Sequence, residues 1–441
     1  RLYPIRMEKD SLLYRIKEGF SDTCYIWVKE AKNTIKDEGV LIFCLLVPLL
    51  YPLVYSWFYN NEVVRKVPVA VVDLSHSHTS RQFIRNFNAS PHARVAYYCN
   101  SLDEAKELTG KQQVKGTIYF PRDFDTKLYR NEQSTVSVYA DMSLMLTFKA
   151  ILQSAQAVAT KMNTQIQIAQ SGGFTNRDDE INTLPLDYEE VPIFNVTGGY
   201  GNALIPGVLM LILQQTLLLG IVLAAGTPRE NNRYKDLVPI SKHYRGIFRI
   251  VLGKSMSYFM LYAVIGAYLS LVVPRFFGYI SLVSAKTIFG PMLPHILACI
   301  FFGMVLSCLV RYRENVILLV IFTSVPFLFL TGLSWPLSNI PAFLEGLSYL
   351  VPSTFGIRGF LRISSMGAEL SDIRFEYHAL WIQVFVYFLL TCVVYRYQIN
   401  RTKYHAYNHI QMLKEKAIKA RQRKLNEKNP LAKSNESAED I

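Results

Sequence analysis

Residues Tyr200–Ala225 read YGNALIPGVLMLILQQTLLLGIVLAA, without one charged side chain. A hydrocarbon core about 30 Å thick needs roughly 20 apolar residues in a helix, and this stretch meets that length. Five more stretches do so with few charges: Gly39–Phe58, Ile250–Val273, Pro291–Val310, Val316–Leu333 and His378–Tyr395. The last is the weakest and rests on the run from Trp381 to Val394. The expected fold is an α-helical polytopic membrane protein with six transmembrane helices. Between the first and second spans lies a segment of more than a hundred residues with another character.

The whole chain agrees with this reading. Its 441 residues are 51% hydrophobic and 18% charged, with a mean hydropathy of +0.17. A disordered chain or a coiled coil is excluded, and the modest hydropathy is what spans plus large aqueous parts produce. The net charge of +13 is not spread evenly. Eight Lys/Arg precede the first span. Arg229, Arg233, Lys235, Lys242, Arg245 and Arg249 lie between the second and third spans, and Arg311 and Arg313 between the fourth and fifth. Arg396, Arg401, Lys403 and a basic tail follow the sixth. Alternate segments thus carry nearly all the positive charge, which places both termini in the cytoplasm and 60–195 outside. The basic residues form no RNA- or DNA-binding motif, so no nucleic-acid partner is expected.

Cys44, Cys299, Cys308 and Cys392 fall in spans, Cys24 on the cytoplasmic side and Cys99 alone in the external segment, so no intradomain disulfide is expected there and no metal site is implied. The first apolar run has span length, which argues against a cleavable signal. Residues 1–6 precede Met7 and receive no function.

Residues 7–38 are expected to form an amphipathic interfacial helix, with Leu13, Ile16, Phe20, Cys24, Trp27, Ala31 and Ile35 at spacings of three or four and lysines elsewhere; packing on a soluble core is the alternative. The first span covers 39–59. Segment 60–195 alternates strand and helix: strands at Val67–Val72, Arg94–Tyr98, Gly116–Phe120 and Ser134–Ala140, helices at Thr79–Asn88, Leu102–Leu108, Pro121–Tyr129 and Ser143–Gln170. It reads as an inserted extracytoplasmic α/β domain, returning to the membrane through Arg177–Pro192. Residues 196–397 hold spans two to six, with a cytoplasmic loop at 226–249. They also hold a Pro-interrupted apolar region, 334–375, that predicts short re-entrant helices before the last span. Irregular backbone at membrane depth survives only against protein or beside a wet cavity. A basic cytoplasmic tail occupies 398–441.

Within that region, Leu330-Thr-Gly-Leu-Ser-Trp-Pro-Leu-Ser-Asn-Ile-Pro-Ala-Phe-Leu344, then Leu347-Ser-Tyr-Leu-Val-Pro-Ser-Thr-Phe355 and Gly359–Arg362, resemble the signature of ABC-type-2 exporter permeases. Leu204-Ile-Pro-Gly207 resembles the opening of that family's second span. Arg229-Glu230, Leu237-Val-Pro-Ile-Ser241 and Gly253-Lys254 resemble its loop into the third. Val67-Pro-Val-Ala-Val-Val-Asp73, Ser101-Leu-Asp-Glu-Ala105 and Phe120-Pro-Arg-Asp-Phe124 are similar to the external domain of one branch. The loop departs from the pattern at Asn231-Asn232-Arg233, where Gly-Thr often follows Arg-Glu, and is shorter up to Pro239.

The resemblance implies a transporter subunit in the bacterial inner membrane that exports a hydrophobic or amphiphilic substrate such as a drug or a lipid. No GxxxxGK[ST] phosphate loop is present, so no cofactor is expected in this chain. ATP and Mg would be bound by a partner nucleotide-binding ATPase subunit. The expected coupling contact is Arg229, Glu230, Lys235, Asp236, Leu237, Val238, Pro239 and Ile240; an ordinary solvated loop is the alternative. Two permease chains, as homo- or heterodimer, would meet about their second and fifth spans. Leu211, Gln214, Gln215, Leu218, Thr323 and Phe327 are the candidates for the translocation path. Interhelical hydrogen bonding without substrate contact is the other reading for each. Gly332, Pro336, Pro341 and Pro352 mark the re-entrant signature. Membrane lipids and a periplasmic adaptor complete the expected partners.

No catalytic residues stand out, since the spans show almost no ionisable residues and no triad is legible. Asp73, His76 and His78 read as a polar turn rather than a metal site, and His405 and His409 as part of a solvated or headgroup-bound tail. The rival function is a membrane-anchored receptor or surface-assembly protein whose external domain binds a ligand or phage.

Overall fold

The computed structural model describes residues 12–59, 64–171, 193–195, 199–231, 238, 243–244, 246–282, 284–309 and 313–428. It divides into two compact units, one built from the chain up to Asn60 and again from Gly201, the other from Asn61–Tyr200. The expected return segment Arg177–Pro192 lies outside the described residues.

The inserted unit follows the sequence rhythm. Strands β1 (Val67–Asp73), β2 (Ala93–Cys99), β3 (Gly116–Phe120) and β4 (Ser137–Ala140) form one sheet in the order β2-β1-β3-β4. Helices α3 (His78–Asn88), α4 (Leu102–Gly110), α5 (Phe124–Tyr129) and α6 (Met145–Ser171) complete the unit. Strand β1 pairs parallel with β2 and β3, and β3 pairs antiparallel with β4. Because side chains alternate along a strand, Val67, Val69 and Val71 join one core with Phe83, Ile84, Phe87 and Ile151. Ala70 and Val72 join a second with Cys99, Ala105 and Val114 on the other face. Two buried faces explain the unbroken apolar run of β1. Strand β4 starts later than its composition suggests, since pairing with β3 reaches only Ser137–Ala140. Asp73 closes the turn after β1. Its Oδ1 accepts from the amides of Ser75 (3.1 Å) and His76 (3.0 Å), and its Oδ2 from the Ser80 hydroxyl at 2.7 Å.

In the other unit, α1 (Leu12–Lys36) leads into α2 (Glu38–Tyr59), a span-length helix with a π-helical turn at Ile42–Leu46. Then come α7 (Tyr200–Asn231), α8 (Ile247–Phe277), α9 (Ala285–Leu309) and α10 (Arg313–Leu330). Two short helices follow, α11 (Ala342–Ser348) and α12 (Pro352–Ser364), before α13 (Arg374–Lys428). Among the described residues, five helices are long and apolar enough to cross a membrane: Glu38–Tyr59, Gly201–Thr227, Ile247–Phe277, Lys286–Cys308 and Arg374–Arg401. At the expected fifth span the apolar stretch is the shorter Asn315–Leu330, and its helix stops ahead of Gly332, which takes φ +84° and turns the chain. A Cβ there would also sit 2.7 Å from the Leu337 side chain.

Burial is uneven. Of the most apolar window of α7, 89% is buried, against 28% in α2 and in α13. The second span is therefore the central column, which is why it is apolar on every side. Helix α13 runs 55 residues without a break, so the expected tail is helical through Lys428.

Candidate coupling and translocation elements

Helix α1 buries a stripe that is polar except for Ile26. Asp22, Ile26, Glu30 and Thr34 recur every fourth residue and are buried, whereas Ile16, Phe20, Val28 and Ile35 are exposed, Phe20 by 72%. The buried face packs on the start of α8. Gly253 permits the approach, since a Cβ there would lie 2.8 Å from Ile26 Cβ and 2.9 Å from the Thr23 carbonyl oxygen. Charged pairs join α1 to α8 and to the residues just before it. Arg249 Nη1 donates to Asp22 Oδ2 at 2.7 Å, and His243 Nδ1 meets Asp22 Oδ1 at 2.8 Å. Eight residues along α1, Lys254 Nζ donates to Glu30 Oε1 at 3.3 Å, and the Tyr258 hydroxyl donates to the same oxygen at 3.3 Å.

Burial by itself would raise the Asp22 carboxyl, but the hydrogen bonds and charges of His243 and Arg249 outweigh it and hold it below the ordinary carboxylate range. The Tyr25 ring lies against the His243 ring, tilted by 31° at 4.3 Å between centroids, and Lys29 lies over Tyr244 at 5.4 Å. Burial, followed by the charge of Glu30, pushes the Tyr244 phenol up to about 12. A cavity of about 740 Å³ opens where α1, α2 and α7 meet, lined by Glu30, Thr34, Asp37, Glu38 and Thr227 among others.

This latch was missing from the sequence reading, which followed the apolar stripe of α1 and passed over the acidic residues behind it. The signal was present as Asp22-Ile26-Glu30-Thr34 at helical spacing. The expectation that spans hold almost no ionisable groups needs correction for the same reason. Lys254 sits in α8, buried and paired to Glu30. His295 sits in α9, buried to 2% exposure.

Of the coupling residues, Val238 is described. It is buried within the main apolar core. Arg229 and Glu230 fall in the last turn of α7, and their side chains lie outside the described residues, as do Lys235, Asp236, Leu237, Pro239 and Ile240. The side chains of His405 and His409 are outside them as well.

The second-span candidates Leu211, Gln214, Gln215 and Leu218 are all buried within the single chain. Gln214 joins three helices: its Nε2 donates to Ser353 Oγ of α12 at 3.1 Å, and its Oε1 accepts from Cys299 Sγ of α9 at 3.5 Å. One turn away from Cys299, His295 packs against Gly356 of α12 so closely that any Cβ at Gly356 would strike the imidazole. Both polar atoms of the Gln215 amide are enclosed without a hydrogen-bond partner among the described residues. On α10, the Thr323 hydroxyl donates back to Leu319 O at 2.8 Å and Val320 O at 3.2 Å. Phe327 is half-buried against the main core, while Ile321, Phe322 and Val325 face outward.

The signature residues act as chain punctuation. Pro336 and Pro341 precede a 3₁₀ turn and α11, and Pro352 opens α12, where its missing amide and fixed φ are tolerated. A Cβ at Gly207 would lie 2.7 Å from the Leu333 side chain, so the opening of the second span abuts the turn after α10. Two motifs far apart in sequence are thereby packed together. Helix α12 is almost wholly buried. Its Arg362 pairs with Glu376 of α13 at 2.9 Å, and Gln383 of α13 donates to the Tyr349 carbonyl at 2.7 Å.

No curated protein sequence matches the chain. The sequence model of the family described as ABC-2 family transporter protein matches residues 39–393. That interval runs from the first span to the last and takes in the inserted α/β unit, the central column and the Pro-punctuated helices. The chain belongs to the ABC-2 family of transporter permeases, as an integral-membrane, transmembrane component of an ATP-dependent transporter.

Proposed function

We propose that this chain is one of two permease subunits of an ATP-binding-cassette exporter, moving a hydrophobic or amphiphilic molecule outward. In this reading α10 crosses the membrane as the fifth of six spans, both termini are cytoplasmic, and the α/β unit lies outside the inner membrane, where it gates the exit or meets a periplasmic adaptor. ATP and Mg are bound by the partner ATPase subunit. That subunit presses the segment Arg229–Ile240, and the load passes into α8 and α1. The observation that carries the reading is the latch of Asp22 with His243 and Arg249: the residues that end the coupling segment are bonded to an interfacial helix through the buried Asp22 carboxylate. A push on the loop therefore moves α1 and α8 together.

The second-span and fifth-helix residues Leu211, Gln214, Gln215, Leu218, Thr323 and Phe327 form the path when two chains meet. An apolar lining favours a lipid-like substrate over a sugar or an ion. The exposed apolar face of α10 supports a role for that helix against lipid or a second chain.

Reconstitution in vesicles with the cognate ATPase subunit tests the reading. Wild-type chain is expected to change the rate of ATP hydrolysis, and charge reversal at Arg229 and Glu230 to abolish that change while the complex still assembles. Hydrolysis indifferent to both would refute coupling.

A further inference from the structure

The part of α13 beyond its membrane span has no role in the reading above. Every side chain described from Ile410 to Arg421 is exposed, including Ile410, Met412, Leu413 and Ile418. Ile410, Leu413, Ala417 and Ala420 recur at three and four residues, which puts them on one face of the helix. Lys414 and Arg421, seven apart, border that face on one side, and Lys416 on the other. From Arg396 to Lys428 the sequence holds Arg396, Arg401, Lys403, Lys414, Lys416, Lys419, Arg421, Arg423, Lys424 and Lys428 against Glu415 and Glu427.

Three kinds of occupant could cover an apolar strip with basic borders, and charge and reach separate them. A second copy in parallel would set lysine and arginine against lysine and arginine on both borders, which is repulsive. Anionic headgroups are too far. The helix continues unbroken from the span, which puts Lys414 and Arg421 about 20 and 30 Å along it beyond Arg401 at ~1.5 Å per residue. A charge there lies several Debye lengths (~8 Å each) from the bilayer surface. An acidic protein surface in the same compartment remains.

We propose that residues 410–421 of α13 are a docking arm for an acidic face of the ATPase subunit. The apolar strip gives the contact its area, and Lys414, Lys416, Lys419 and Arg421 give it orientation and speed of encounter. The proposal rests on the reading of the chain as a permease with cytoplasmic termini. The arm holds the ATPase, and the loop 229–240 transmits its stroke, so the two functions separate by mutation.

The experiment uses the full chain in phosphatidylcholine nanodiscs and the purified cognate ATPase subunit, with the dissociation constant followed from 50 to 300 mM salt. Lys414→Glu, Lys416→Glu, Lys419→Glu and Arg421→Glu together are expected to weaken binding about tenfold or more and to flatten its salt dependence. ATP turnover at saturating ATPase should stay at the wild-type rate. The same four positions changed to Gln, which keeps the helix, should give an intermediate loss. Wild-type affinity and an unchanged salt slope in the Glu variant would overturn the proposal. So would a loss of affinity seen only in nanodiscs containing phosphatidylglycerol, which would assign the arm to lipid. Failure of the ATPase to bind even the wild-type chain would instead bring down the permease reading, and this inference with it.

Discussion

Helices α1 and α3 are both amphipathic, yet they bury opposite faces. Helix α3 hides Phe83, Ile84 and Phe87 and exposes Arg81 and Arg85, while α1 hides Asp22, Glu30 and Thr34 around Ile26 and exposes Ile16, Phe20 and Ile35 beside Lys17, Lys32 and Lys36. One belongs to a unit whose core is a sheet, the other to a unit made of span-length apolar helices. In water, apolar burial organises the fold. Beside hydrocarbon, apolar side chains lose nothing by facing out, and polar groups find their best partners inside. The same periodicity in sequence thus has two opposite structural meanings.

The largest expected effect tests that inversion directly. Phe87→Ala in the full chain should cost about 3–5 kcal/mol of stability in the α/β unit, as for other buried aromatics. Phe20→Ala in α1 should cost less than about 1 kcal/mol, both read from unfolding in detergent. Equal losses would break the comparison. Next, Glu30→Ala should destabilise the α1–α8 contact by about 3–5 kcal/mol, since it strands the Lys254 charge. Combining it with Lys254→Met should recover most of that loss, and a double-mutant cycle measures the coupling. A simple sum of the two single costs would mean that the pair is not a unit.

A smaller effect is expected at the α9–α12 contact. Gly356→Ala should cost about 1–3 kcal/mol by overpacking, and His295→Ala in the same chain should relieve it. The smallest concerns pH. The folded Asp22 carboxyl is held below its unfolded value, so its contribution is complete above the unfolded pKa of about 3.9 and fades as pH falls through the folded one. Protection of α1 from proteolysis should therefore decline on acidification below about pH 4, and Asp22→Asn should remove that dependence. A decline that persists in the Asn variant would assign it to another group.

Much of the architecture was legible beforehand. Val67–Asp73 and Gly116–Phe120 announce buried strands by composition alone, and the helices between them follow from polar punctuation. The apolar runs locate the spans because hydrocarbon thickness sets their length. The bonding around the candidate site was not legible. Asp22 meets His243 and Arg249, and Gln214 meets Ser353, across long separations in sequence. Such pairs depend on which helix faces which, and no local pattern records that. His295 went unmarked because a lone histidine among apolar residues carries no periodic signal. The fifth span was overextended because Val316–Leu333 is apolar throughout, and only the backbone turn at Gly332 shows where the helix stops.

The sequence by itself determined the elements and the family, because hydropathy and short motifs are local properties that survive without a fold. Tertiary structure alone decided that the second span is the central column, that α1 is fastened to α8 by buried charges, and that α13 exposes its side chains from Ile410 to Arg421. Those outcomes depend on contacts between residues that the chain brings together only after its helices have packed.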